Sequence, residues 1–263
     1  MSPAAGGSWS DLRPRVISAA VMIVVGGAAT LWGGIVLALL VALVTGVMIW
    51  ELARLSAPVA MFDALGLGLG AALCLLLEAA FGSVTFVFLC LPALALALTP
   101  RKDARLAGFS ALALMISAHT VLGLRHDGGF VGILWLIGIV IAADTAGYFV
   151  GRRFGGPKFW PAVSPNKTWS GTVAGWGAAL AVGLVFWLWG PGGWELILLS
   201  PLIALAGQIG DIAESWIKRR AGVKDSSALI PGHGGFLDRF DALTGAAVAL
   251  FLLSPLLGWP VGG

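Results

Sequence analysis

The chain has 263 residues, of which 59% are hydrophobic and only 11% charged, with a mean hydropathy of +0.95. Soluble domains carry roughly a quarter charged residues, so the composition excludes a water-soluble globule and indicates a polytopic membrane protein. At about 20 apolar residues per spanning helix, little chain remains for a separate soluble domain, and any chemistry must use the spans and the loops between them.

Charged residues divide the sequence into nine apolar stretches, at 16–31, 33–50, 64–80, 84–99, 106–124, 130–149, 169–189, 194–217 and 242–259. They are rich in Leu, Ala, Val and Gly and lack the period-two alternation of membrane β-strands. This predicts an all-α polytopic membrane bundle of about nine transmembrane helices. Only the Trp32–Gly34 region separates the first two stretches, so eight spans, the first of them broken, is the competing count. Cys74 and Cys90 both lie inside apolar runs and read as packing residues, with no disulfide framework on offer.

With Arg13, Arg15 and the N-terminus placed in the cytoplasm, nine spans bring fifteen of the 16 bases to that side. These are Arg13 and Arg15; Arg54; Arg101, Lys102 and Arg105; Arg152, Arg153, Lys158 and Lys167; and Lys218, Arg219, Arg220, Lys224 and Arg239. Arg125 alone falls opposite, which the positive-inside rule expects of an N-in, C-out topology. Trp32, Trp50, Trp135, Trp169, Trp187, Trp189, Trp194, Trp216 and Trp259 fall near span ends, as an aromatic belt would. Met1–Trp9 carries no base, so no cleavable signal is expected.

Two of the cytoplasmic loops mix bases with acids, glycines and hydroxyls. In the first, Asp144 sits inside an apolar span, where a carboxylate requires a partner or water. Arg152 or Arg153 could pair with it, or it could serve chemistry. Ser164-Pro-Asn-Lys-Thr168 then sets hydroxyls, an amide and an ammonium before a helix start. That set suits an anionic, oxygen-rich group, although it is also ordinary turn and N-cap chemistry. In the second region, Asp211, Glu214, Ser215 and Lys218 share one helical face. Asp238 and Asp241, three apart, share another, and Gly232, Gly234 and Gly235 surround His233. Asp211, Asp238 and Asp241 are hard oxygen donors of the kind that suits Mg²⁺. Lys218, Arg219, Lys224 and Arg239 could offset several phosphate charges. A divalent ion among carboxylates within a ring of bases is how phosphoryl and nucleotidyl transfer sites are built. His119, alone in an apolar span, reads as a packed or helix-bonded residue.

The stretch Ser215-Trp-Ile-Lys-Arg, four residues, then Lys224-Asp-Ser-Ser-Ala-Leu-Ile-Pro-Gly-His-Gly-Gly-Phe-Leu-Asp-Arg-Phe-Asp241 resembles the signature of the phosphatidate cytidylyltransferases, the CDP-diacylglycerol synthases. Asp144-Thr-Ala-Gly-Tyr-Phe-Val-Gly-Arg152, Ser164-Pro-Asn-Lys-Thr-Trp-Ser-Gly171 and Gly210-Asp-Ile-Ala-Glu-Ser215 resemble family segments in the same order. Asn166 and the Trp216-Ile217 pair are mild departures. The resemblance is firm from about residue 140 to 245 and compositional before that. It implies one membrane-embedded domain over 1–263, with helical spans in 1–125 and the catalytic spans and loops in 126–263.

The implied reaction is CTP plus phosphatidate giving CDP-diacylglycerol and pyrophosphate, dependent on Mg²⁺ with room for a second cation, at the cytoplasmic face of the cell membrane. On this reading Asp211, Asp238 and Asp241, with Asp144 as an addition, form the metal site. Lys218 and His233 join the catalytic set, His233 as an orienting or leaving-group contact. Lys167, Thr168, Ser215, Arg219, Lys224, Gly234, Gly235 and Arg239 bind substrate phosphates. The partners implied are the two substrates and membrane lipids; a homodimer is left open and no nucleic acid is expected. A transporter would also account for acids inside spans, but it predicts inverted repeats that the sequence does not display. A CTP-using lipid kinase is the nearer rival, distinguished by its acceptor.

Overall fold

With no water in a bilayer core to pair backbone amides and carbonyls, an apolar stretch satisfies them internally as a helix. The computed structural model describes residues 9–56, 61–81, 85–190 and 192–257. Nine helices occur among them: α1 (Trp9–Trp32), α2 (Gly34–Ser56), α3 (Met61–Phe81), α4 (Thr85–Leu98), α5 (Ala104–Asp127), α6 (Gly129–Phe154), α7 (Trp169–Leu188), α8 (Glu195–Arg220) and α9 (Leu237–Leu257). Eight are long and apolar enough to cross a membrane, and α4, of 14 residues, is a shorter apolar helix. The all-α polytopic bundle expected from sequence is therefore present. Between α6 and α7 an antiparallel hairpin of β1 (Lys158–Trp160) and β2 (Ser164–Thr168) adds an element that the apolar pattern does not signal.

The first two stretches are separate helices joined at Gly33. Gly33 and Gly34 have φ of 69° and 50°, a left-handed backbone that glycine adopts without the Cβ penalty. Arg125 closes the turn: its Nε donates to Thr30 O at 2.9 Å and its Nη2 to Leu31 O at 3.2 Å, taking up carbonyls left open at the end of α1. The far ends of α1 and α2 meet again at the loop before α9, through Ser18 against His233 and Glu51 against Ser227. The pair is thus a hairpin rather than one broken segment.

Other contacts fix which helix ends share a side. Arg101, before α5, donates to Ala53 O and Ser56 Oγ at the end of α2. Arg220, closing α8, grips Asp103 through two hydrogen bonds of 2.7 and 2.9 Å, and this guanidinium holds the Asp103 carboxyl below the usual carboxylate range. Lys102 donates to Arg220 O. The bases consequently gather at one end of the bundle, called here the basic end, while Arg125 marks the other.

Two apolar clusters fill the interior. One packs α6–α9 around Trp135, Leu136, Ile139, Leu196 and Ile203, and the other packs α2–α5 around Ile49, Leu52, Leu75, Leu96 and Met115, with Leu237 of α9 joining it. Trp135 departs from its expected place in the aromatic belt: it is fully buried, and its indole N–H donates to Ser200 Oγ at 3.0 Å. Trp259 lies outside the described residues. His119 is bonded across helices rather than within its own, its Nδ1 standing 2.6 Å from Glu78 Oε1 of α3 with Phe251 of α9 edge-on to the ring.

Small residues bring the site-bearing helices together. A Cβ on Gly171 would lie 2.5 Å from Gly147 O, and one on Gly210 would lie 2.5 Å from Asp241 O and 2.9 Å from the Cα of Gly245. Glycine therefore sets both the α6–α7 and the α8–α9 spacing, in the way small residues permit close helix contact in membranes.

Candidate active site

At the basic end a cavity of about 840 Å³ opens between α6, α7, α8, α9 and the β-hairpin. Its acids are Asp144 from α6, Asp211 from α8, Asp225 from the α8–α9 loop, and Asp238 and Asp241 from α9. Its bases are Arg152, Lys158, Lys167, Lys218 and Arg239. One turn of helix α6 puts Asp144 and Tyr148 on the same face, and Arg152, one turn on, donates to the Tyr148 hydroxyl at 2.7 Å. Arg152 therefore does not neutralise Asp144: among the described residues Asp144 forms no ion pair and is open to the cavity.

Lys167 is delivered by β2, whose next residue, Thr168, is the N-cap of α7: Thr168 Oγ1 accepts from Gly171 N at 3.2 Å. Thr168 is thereby committed to the helix start. Lys167 Nζ reaches Asp211 Oδ2 at 2.5 Å and Gln208 O at 3.4 Å, while Ser215 Oγ donates to Asp211 Oδ1 at 3.4 Å. Asp144, Asp211 and Asp241 lie close enough to interact electrostatically across the cavity.

Asp238 has a different environment. Oδ2 accepts from Gly235 N at 2.7 Å and from both the amide and hydroxyl of Ser226 at 2.9 Å, and Oδ1 stands 2.6 Å from Lys218 Nζ. Lys218 also contacts Glu214 Oε2 at 2.5 Å, whereas Glu214 Oε1 is buried without a hydrogen bond. Asp238 and Lys218 thus fasten the loop to α8 while touching the cavity wall.

Of the residues expected at the site, Asp144, Lys167, Thr168, Asp211, Lys218, Asp238, Arg239 and Asp241 line the cavity. Ser215, Arg219, Lys224, His233, Gly234 and Gly235 are not on its wall. Arg219 donates to Val223 O beyond its own helix, and Ser215 reaches the cavity only through Asp211. His233 Nδ1 stands 2.7 Å from Ser18 Oγ. The glycines around it serve a turn: Gly232 and Gly234 have φ of 75° and 88°, and Ile230 N donates to Gly234 O at 2.8 Å. A Cβ on Gly234 would lie 2.7 Å from Asp238 Oδ2. Residues missed from sequence as parts of the site are Tyr148, Arg152, Lys158, Gln208 and Asp225 on the wall, and Glu51, whose carboxylate holds the loop from α2. The signal available for Glu51 was its place as an acid directly at the end of the apolar stretch 33–50.

Among the described residues no three His, Cys, Asp or Glu side chains are grouped tightly enough to enclose a metal ion by themselves. The donor set nevertheless fits Mg²⁺, which keeps several waters and is bound through one or two carboxylates together with substrate phosphates. Asp144, Asp211 and Asp241 supply such oxygens around one water-accessible volume.

A second opening adjoins the first. An apolar groove of about 300 Å³ runs between α5, α8 and α9, lined by Leu114, Ile209, Ala213, Val248 and Leu252 among others, and Asp241 belongs to the walls of both groove and cavity.

A model of the cytidylyltransferase family matches residues 13–257. The chain belongs to this family. Relatives named phosphatidate cytidylyltransferase share the resemblance: one from Brucella suis is 48% identical over 158 residues, covering 59% of this chain and 56% of the relative. One from Staphylococcus saprophyticus is 39% identical over 51% of this chain and 54% of the relative, and one from Helicobacter pylori is 41% identical over 52% of each. The chain thus spans about half the length of the relatives it matches.

Proposed function

We propose that this cytidylyltransferase-family chain transfers the cytidylyl group of CTP to phosphatidate, giving CDP-diacylglycerol and pyrophosphate. The observation that carries the reading is the position of Asp241 on the wall shared by a charged cavity and an apolar groove. A nucleotide needs the first environment, acyl chains need the second, and the reacting phosphates must meet where the two join. The relatives' names, phosphatidate cytidylyltransferase, support the same acceptor and the same transferred group.

In the proposed reaction a phosphatidate phosphate oxygen attacks the α-phosphorus of CTP in line. The new P–O bond forms as the bond from that phosphorus to the bridging oxygen breaks, and pyrophosphate leaves with the electron pair. The nucleophile is already largely ionised at neutral pH, since the second pKa of a phosphate monoester is about 6, so no general base is required. The main need is to bring two polyanions together. Lys158, Lys167, Arg152 and Arg239 face the cavity and would draw in the phosphates. Asp144, Asp211 and Asp241 would hold Mg²⁺, which when bound supplies charge neutralisation at the transferring phosphorus. Lys218 and Asp238 are cast as the fastening that keeps α8 and α9 in register.

The concentration of bases at one end supports a cytoplasmic active site in the cell's inner membrane with the N-terminus inside. The test is an acceptor panel with purified protein in detergent, CTP and Mg²⁺. Phosphatidate should yield pyrophosphate and a CDP-lipid, and diacylglycerol should yield nothing. Product from diacylglycerol with release of CDP would instead establish a lipid kinase.

A further inference from the structure

Glu51 stands in α2, far in sequence from every residue of the cavity, yet it is fully buried against the loop that begins α9. Its carboxylate accepts three hydrogen bonds. Oε1 takes Ser227 Oγ at 2.5 Å and Phe236 N at 3.1 Å, and Oε2 takes Leu237 N at 2.7 Å. Ser226 Oγ, whose single proton serves the shorter bond to Asp238 Oδ2, lies 3.3 Å from Oε2. Phe236 and Leu237 carry the amides at the start of α9, donors that a helix cannot satisfy internally. Their acceptor is supplied by another helix, with its negative charge at the positive end of the α9 dipole. Gly235 lies against the same carboxylate, where an added Cβ would collide with Glu51 Oε1. Asp238 and Asp241 follow within the first turns of α9.

We infer that Glu51 is a positioning residue: it caps α9 from α2, fixes the rotation of the first turn, and thereby sets where Arg239 and Asp241 stand in the cavity. The inference rests on the cytidylyltransferase reading, and it makes α2, which puts no residue on the cavity wall, a structural part of the active site. Glutamine at this position keeps the size and one carbonyl acceptor but turns an NH₂ group toward donors, so the turn should shift rather than collapse.

The experiment compares wild type, Glu51→Gln and Ser227→Ala as full chains in detergent. It reads kcat, KM for CTP, the Mg²⁺ concentration at half-maximal rate, thermal unfolding, and amide hydrogen exchange without substrates. Displacement by about 1 Å at a reacting centre costs on the order of 10²-fold in rate. Glu51→Gln should therefore lose kcat on that scale, need more Mg²⁺, and exchange faster in peptides covering 226–240 while α6 and α7 keep wild-type exchange. Ser227→Ala, which deletes one donor, should shift the same quantities in the same direction by less. A merely structural role would lower the unfolding temperature and the active fraction but leave kcat per folded enzyme and the Mg²⁺ midpoint unchanged, and that result overturns the inference. If Glu51→Gln fails to fold, Ser227→Ala decides: a wild-type Mg²⁺ midpoint and wild-type exchange at 226–240 overturn it. Wild type inactive with phosphatidate would remove the proposed function itself, a failure distinct from an active wild type with indifferent variants.

Discussion

Lys167 Nζ lies 2.5 Å from Asp211 Oδ2, so a base carried by β2 neutralises an acid carried by α8 across the cavity. The same acid is one proposed to hold Mg²⁺, and the same base is one proposed to hold phosphate. On the proposed reading Mg²⁺ would compete with Lys167 for Asp211 until a CTP phosphate gave the lysine another partner. Lys167→Met should raise KM for CTP by about tenfold, the scale of one lost charge-assisted hydrogen bond, while lowering the Mg²⁺ needed for half-maximal rate. Steady-state rates over a grid of CTP and Mg²⁺ concentrations check both; an unchanged KM contradicts the phosphate role.

Asp238 and Asp241 share a helix turn but should respond differently to neutralisation. Asp238 is bound by Lys218, Ser226 and Gly235, and breaking a buried pair of this kind costs about 3–5 kcal/mol. Asp238→Asn should unfold at lower temperature as well as lose activity. Asp241 forms no ion pair among the described residues: Asp211 and Asp144 act on it across the cavity, with Lys218 as the base within electrostatic reach. Asp241→Asn should lose about 10²-fold or more in kcat with no loss of thermal stability. Equal destabilisation by the two substitutions would contradict the division of roles.

Gly210 sets the distance between α8 and α9, because a Cβ there would press on Asp241 O and the Cα of Gly245. Gly210→Ala should cost about 1–3 kcal/mol, as overpacking does, and should reduce kcat by moving Asp211 away from Asp241. Thermal unfolding in detergent read beside kcat tests this; an alanine variant with wild-type values would show that the helices separate without consequence.

Trp135 offers the converse case. Its N–H bond to Ser200 lies inside the α6–α9 cluster and away from the cavity. Trp135→Phe should lose about 1–3 kcal/mol of stability while kcat/KM per folded enzyme stays at the wild-type value.

The helices were legible because a bilayer permits little else to a long apolar run, and the acids of the site were legible because few charges interrupt those runs. Asp211, Glu214, Ser215 and Lys218 do share a face of α8, with Lys218 on Glu214 and Ser215 on Asp211. The division of labour was not legible. Asp238 and Asp241 look alike in sequence, and only the folded loop gives Asp238 its three donors. The glycines beside His233 suggest room for a ligand, yet they answer a tight turn and the close approach of Asp238. Glu51 escaped because its partners are contributed by a loop at the far end of the chain, and local patterning carries no trace of such pairing. The β-hairpin escaped because its strands, three and five residues long, include a proline and lack a repeating apolar face.

Which bond of CTP is broken can be read from the fate of its phosphorus atoms. The purified chain should be given phosphatidate, Mg²⁺ and CTP labelled at the α-phosphorus or, separately, at the γ-phosphorus. The α label should appear in the lipid product and the γ label in pyrophosphate. Label from the γ position in the lipid, or no labelled lipid from either, would contradict the proposed transfer.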